Sequence, residues 1–153
     1  MLTNENLKMV GQVNLVLTGS DGNVKEEHEV KNLVVNSGLA FIISRMAGTS
    51  KGVMSHMALG SGTTAAAAGQ TDLISILGSR EVIDSTTIAG TNNEKIVYVS
   101  SFEANKGTGA VTEAGIFNAS SAGDMLCRVV FPVVNKQADD TLAITWTLTL
   151  SAV

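Results

Sequence analysis

Cysteine, proline, aromatic residues and charge are all scarce in this 153-residue chain, and each scarcity excludes something. A single cysteine, Cys127, rules out an intramolecular disulfide and fits a reducing compartment. Aromatics are 4% of the residues, so the core must be aliphatic and exposed sugar-stacking rings are in thin supply. Charged residues are 16%, well under the roughly 25% of a typical soluble domain. Lys and Arg number 10 against 14 Asp and Glu, a formal charge of −4. A nucleic-acid binder needs a concentrated basic surface to displace counterions, and no polybasic stretch exists. No apolar run approaches the ~20 residues of a membrane-spanning helix. The start, Met1-Leu2-Thr3-Asn4-Glu5-Asn6, is polar and lacks the pattern of a secretion signal.

What is present is 44% hydrophobic residues, 15 glycines and one proline, Pro132. Thr, Val, Ala and Ser crowd the chain, a composition of short strands joined by tight turns. The length fits one domain, read as residues 1–153, with 1–9 lacking a period and expected to be an N-terminal arm or a frayed start. In 12–18, Val13, Leu15 and Leu17 alternate with Gln12, Asn14 and Thr18, broken only by Val16, which is strand periodicity. Asp21-Gly22 is a hairpin turn signal, because both residue types tolerate positive φ. The run 24–35 places Lys25, Glu27, Glu29 and Lys31 on one face, a strand with a charged, solvent-facing side. Leu39, Ile42, Ile43 and Met46 then fall at i, i+3, i+4 and i+7, predicting a helix over 37–47. Asn36 or Ser37 is the expected cap and Gly48 the expected stop.

Further along, 53–59 reads as a short strand, 71–77 as a helical turn and 80–88 as a strand of open register. Strands follow at about 95–104 and 111–118, with turns at 90–93, 106–109 and 120–124. Met125, Cys127, Val129, Phe131 and Val133 share one parity, as do Leu142, Ile144, Trp146, Leu148 and Leu150 in the last strand. Around eight short strands with turns between them predict a mainly β chain, an antiparallel, jelly-roll-like β-sandwich with one short helix over an open end.

Chemistry is sparse. His28, His56 and Cys127 lie on separate strands without metal-ligand spacing. Asp21-Gly22-Asn23 lacks the ligand rhythm of a calcium loop, and no Lys follows Gly60-Ser61-Gly62-Thr63-Thr64 as a phosphate-binding loop requires. No serine sits in Gly-x-Ser-x-Gly. Neither catalysis nor a cofactor is expected, and Cys127 is read as a buried, inert thiol. Two features draw interest. Residues 60–69 form an uncharged loop whose side chains never exceed Thr, with Gly60, Ser61, Gly62, Thr63, Thr64, Ala65 and Ala66 as candidate contacts. Such a loop has too little apolar surface to fold on itself, and it either orders against a neighbouring protein or serves as a mobile connection. Glu113, amid small and apolar residues, is either a subunit contact or ligand hook, or the acceptor of fold-internal hydrogen bonds.

Five segments, in order, resemble small structural proteins of tailed bacteriophage particles. They are Asn32-Leu33-Val34-Val35-Asn36-Ser37-Gly38-Leu39, His56-Met57-Ala58-Leu59-Gly60-Ser61-Gly62-Thr63-Thr64-Ala65-Ala66, Thr112-Glu113-Ala114-Gly115-Ile116-Phe117-Asn118, Met125-Leu126-Cys127-Arg128-Val129-Val130-Phe131 and Asp140-Thr141-Leu142-Ala143-Ile144-Thr145-Trp146-Thr147. That group includes capsid decoration proteins and short tail or fibre-attachment modules, with ALGTGTT-type loops, EAGLF-type strands and TWT-type final strands. The resemblance covers about residues 30–150 and implies a non-enzymatic virion subunit with a β-sandwich fold. It brings no catalytic residues. A fibre would continue into a shaft, whereas this chain stops at Val153, which favours a compact accessory subunit. The expected partners are major capsid or tail proteins and further copies of the chain, as a trimer, with neither nucleic acid nor membrane among them. The alternative is a tail-fibre-associated carbohydrate-binding module for host attachment.

Overall fold

The structure, a computed structural model, describes residues 6–152. Nine strands and one helix follow in the order β1 (Leu7–Thr18), β2 (Val24–Val34), α1 (Asn36–Met46), β3 (His56–Gly60), β4 (Glu81–Val82), β5 (Ser85–Ala89), β6 (Lys95–Phe102), β7 (Gly109–Phe117), β8 (Met125–Lys136) and β9 (Thr141–Ala152). They form one sheet, ordered β4-β3-β7-β8-β2-β1-β9-β6-β5, in which every pair is antiparallel. The chain is thus mainly β with one short helix, as its composition and periodicity predict. The hydrogen bonding joins the strands into one antiparallel sheet, curled into a half-barrel.

The curl follows from connectivity. β4 and β5 lie at opposite ends of the sheet order, yet only Ile83 and Asp84 separate them in the chain. Ile83 donates its amide to the Ser55 carbonyl beside β3 (2.8 Å), and Asp84 donates its own to the Val99 carbonyl of β6 (2.8 Å). Val82 and Ser85 are three Cα steps apart, roughly 11 Å at most, so the two ends of the sheet are drawn together. The run 80–88, expected as one strand, is therefore two short strands meeting at this corner. Elsewhere the sheet is nearly split. β2 pairs with β8 only at Leu33–Arg128 and Val34–Cys127, so residues 24–32 of β2 have a strand on one side alone.

The hairpin at Asp21-Gly22 forms as predicted. Gly22 has φ +84°, and the Asp21 carboxylate accepts the Asn23 amide at 2.9 Å. Of the expected N-terminal arm, residues 1–5 lie outside the described residues, while Leu7, Lys8 and Met9 are not an arm but the start of β1, paired with Ala152, Ser151 and Leu150. Residues 71–77 are not helical: Ile76 bridges Gly60, and Leu77 donates to the Leu59 carbonyl at 2.9 Å. The parity of β8 shifts near Pro132. Val111 faces Val134 and Glu113 faces Val130, so β8 takes four steps while β7 takes two. Val133 is consequently turned outward, 47% exposed, and Val134 is buried in its place.

α1 departs most from its pattern. Gly38 and Phe41 are buried and Ile42 half-buried, whereas Leu39, Ile43 and Met46 are 49, 63 and 80% exposed. Gly38 sets this rotation. A Cβ there would lie 2.1 Å from the Leu126 carbonyl oxygen, so the helix rests its glycine flat on β8. Neither Asn36 nor Ser37 caps it. Val35 is the cap residue, the Asn36 amide donates to the Ala68 carbonyl, and Ser37 Oγ donates to the Met125 carbonyl at 2.6 Å. Gly48, at φ +68°, ends it as expected.

The core lines the inside of the curl. β9 runs centrally between β1 and β6 and buries Leu142, Ile144, Trp146 and Leu148 against Val13, Leu15 and Leu17 of β1. Leu150, predicted on the same buried face, is 37% exposed. Trp146 has no exposed surface and no hydrogen-bond partner for Nε1, so it acts through packing alone. Trp146→Ala is expected to lower unfolding free energy by ~3–5 kcal/mol in denaturant titration; an unchanged midpoint would contradict its place at the centre of the core.

Candidate functional site

The residues marked by the sequence, Gly60 to Ala66 and Glu113, meet on the outer face of β3, β7 and β8. Alternation along β7 sends Ala114 and Ile116 into the main core and turns Glu113, Gly115 and Phe117 the other way. Residues 61–80 lie across that outer face. Beneath them a smaller apolar cluster forms from Val35, Ala58, Phe117 and Met125, with Leu73 packed on top.

Glu113 has no exposed surface, yet its carboxylate is fully engaged. Oε1 accepts the amides of Gly62 (2.9 Å) and Ser75 (2.8 Å). Oε2 accepts the amide of Ile74 (3.1 Å) and Arg128 Nε (2.8 Å). Arg128, also without exposed surface, places Nη2 2.8 Å from the same oxygen, off hydrogen-bond alignment. Its Nη1 donates to the Thr64 carbonyl and to Gln70 Oε1, each at 2.9 Å. Gln70 extends the chain of bonds, accepting the Ala67 amide (3.0 Å) and donating to the Ala65 carbonyl (3.2 Å). Thr112 Oγ1 donates to the Gly62 carbonyl at 2.8 Å.

Of the two readings of Glu113, the fold-internal one is what the structure shows. The loop, expected to be mobile unless a neighbour orders it, is instead tied down from within its own chain. Its side chains are too small to hold it, but β7 and β8 supply polar groups that bond its backbone. Small residues are required for this. A Cβ on Gly60 or Gly62 would come within 2.5 Å of Glu113 Oε1. A second anchor is Arg80, which stacks 3.6 Å from the Phe117 ring centroid and donates to the Ala119 and Ala122 carbonyls.

Burial opposes ionisation of Glu113, but the amides of Ser75 and Ile74, the Arg128 side chain and the Gly62 amide outweigh it and hold its carboxyl below the ordinary range. Burial pushes the Cys127 thiol well above its ordinary value, consistent with an inert sulfur. Both Glu113 oxygens accept two bonds each and the pair has no exposed surface, so what it does is fix a backbone. Thr63, Thr64 and Ala65 are then displayed outward, Ser61 and Ala66 are half-buried, and Gly60 and Gly62 are covered. Ile74 and Ile76, flanking the same loop, are 51 and 45% exposed. His28 and His56 stand apart on β2 and β3, and no group of three or more His, Cys, Asp or Glu suited to a metal occurs among the described residues.

Arg128, Gln70 and Arg80 are the members that sequence reasoning passes over. Arg128 carried a signal: it interrupts an otherwise apolar run, Leu126-Cys127-Arg128-Val129-Val130, as Glu113 interrupts another. Two opposite charges in apolar runs are each other's natural partners. Gln70 and Arg80 carry no comparable mark.

Compared with protein-family models, curated proteins and solved structures, the chain matches none.

Glu113→Ala leaves the Arg128 charge buried and uncompensated, and is expected to cost about 3–5 kcal/mol of stability. Amide exchange at Gly62, Ile74 and Ser75 should accelerate with it. Because the folded-state pKa of Glu113 is depressed, its contribution is complete above the ordinary value of 4.5 and is lost as pH falls through the lower folded value. The melting temperature should therefore hold steady down to about pH 4.5 and drop below it. Glu113→Gln should flatten that drop.

Proposed function

We propose that the chain is a non-enzymatic structural subunit of a tailed-bacteriophage virion, docking on the capsid as a decoration protein or on the tail as an accessory. The observation that carries this reading is the loop at 60–69, uncharged and displayed outward on a backbone fixed by the Glu113–Arg128 pair. A surface ordered before binding loses little entropy on docking, and small side chains let another backbone approach closely. Ile74 and Ile76 add exposed apolar area beside it. The resemblance of five ordered segments to phage structural proteins supports the same reading. In it, the flanks β2-β1-β9-β6-β5 and β8-β7-β3-β4 act as the two layers of a jelly-roll-like sandwich, and copies associate at symmetric positions of the particle as a trimer.

The carbohydrate-binding alternative loses support at the aromatics. Trp146, Tyr98, Phe41, Phe102, Phe117 and Phe131 are all buried, so no described ring is free to stack on a sugar. Thr63→Lys, Thr64→Glu, Ala65→Lys and Ala66→Glu together should leave the circular dichroism spectrum intact and abolish binding to phage particles lacking the subunit. A mutant that occupies particles as well as the parent would move the docking surface elsewhere. Mass spectrometry of loaded particles separates the two positions: copy numbers near that of the major capsid protein mean decoration, a handful means tail.

A further inference from the structure

The most regular helical stripe in the sequence faces away from its own chain. Leu39, Ile43 and Met46 lie along the outside of α1, and Gly38, seated on the Leu126 carbonyl, prevents the helix from rolling them inward. Beside the stripe, between α1 and the β6–β9 face, runs an open groove of about 450 Å³. Met9, Phe41, Ile42, Tyr98 and Leu148 line it, and Met46 belongs to both groove and stripe. Ridge and groove therefore make one continuous apolar surface, of the kind that marks an interaction site.

Its few charges identify the occupant. Arg45, the one charged residue of α1, stands on the helix side of the groove and makes no ion pair among the described residues; Nη1 is bonded to the Lys51 carbonyl. Glu94, with Lys95 beside it, stands on the sheet side and is likewise without an ion pair among the described residues. A patch carrying one sign of charge repels its own copy, whereas opposite charges on the two banks of one groove let each copy answer the other's. The end strands of the sheet offer a poorer route: β4 has two residues and β5 five, and only Ile83 and Asp84 separate them.

We infer that this surface is where the chain meets a second copy of itself, the stripe of one copy against the groove of the next and Arg45 of one copy against Glu94 of its neighbour. The inference rests on the reading that the chain is a homo-oligomer and names the contact that makes it one.

Sedimentation equilibrium on the full chain from about 1 to about 500 µM tests it. The wild type should rise from its 15.8 kDa monomer mass toward a whole multiple. Ile43→Asp, at a position 63% exposed, should keep the spectrum and melting temperature yet weaken association at least about tenfold. Arg45→Glu and Glu94→Arg should each weaken it, and the double variant Arg45→Glu/Glu94→Arg should restore it. A wild type that stays at the monomer mass throughout overturns this surface as a self-contact of the free chain, and if cross-linking on loaded particles also yields only monomers the homo-oligomer reading falls with it. A wild type that associates while Ile43→Asp associates equally overturns the surface alone. Neither result bears on docking through residues 60–69, which particle binding measures separately.

Discussion

A carboxylate and a guanidinium without any exposed surface are expensive to bury, and the outer half of this molecule is organised around making that burial tolerable. Glu113 and Arg128 meet on adjacent strands, but one partner leaves spare valences on each. Backbone amides of Gly62, Ile74 and Ser75, the carbonyl of Thr64 and Gln70 Oε1 take up most of them. The chain from 60 to 77 is thereby folded over the pair like a cover whose fastenings are electrostatic. Its glycines at 60 and 62 are present because the carboxylate occupies the space their side chains would take. Removing one charge removes the reason for the cover to lie where it does.

The main core depends on a different constraint, that of connectivity. A two-residue link between the end strands makes curling compulsory, and curling encloses the aliphatic face of β9 and β1. Both constraints act at close quarters with the backbone. Gly38 on Leu126 and Ile83-Asp84 at the corner leave no room for alternative packings, so a modest number of apolar residues suffices for one arrangement.

Legibility followed the range of the interactions. The parity of Val13, Leu15 and Leu17, and of Leu142 to Leu148, is local and marked the core strands. The Asp21-Gly22 turn was local too. What could not be read depended on distant partners. The face of α1 was decided by a carbonyl 88 residues away from Gly38, against the stripe's own periodicity. The same holds for residues 71–77, where Glu113 takes amides that a helical turn would have directed elsewhere, and for Val133, displaced by a bulge visible only from β7. The site was half legible: Glu113 and the small-residue loop stood out individually, but their meeting through Arg128 required the sheet order.

The outer edge of β2 is open along most of its length. Lys25, Glu27, Glu29 and Lys31 read the same in both directions, and residues 24–32 border no strand on their outer side. If two copies aligned these edges about a two-fold axis at His28, Lys25 would face Lys31 and Glu27 would face Glu29, like against like on the face that carries the palindrome. Sliding the register four residues toward the chain's end, to match Lys31 with Glu29, runs the incoming strand into β8 at Leu33 and Val34. In the register centred on His28 the charge palindrome therefore sets repulsion along this edge and disfavours the growth of an endless sheet, the hazard that an open strand poses whenever many copies are made at once.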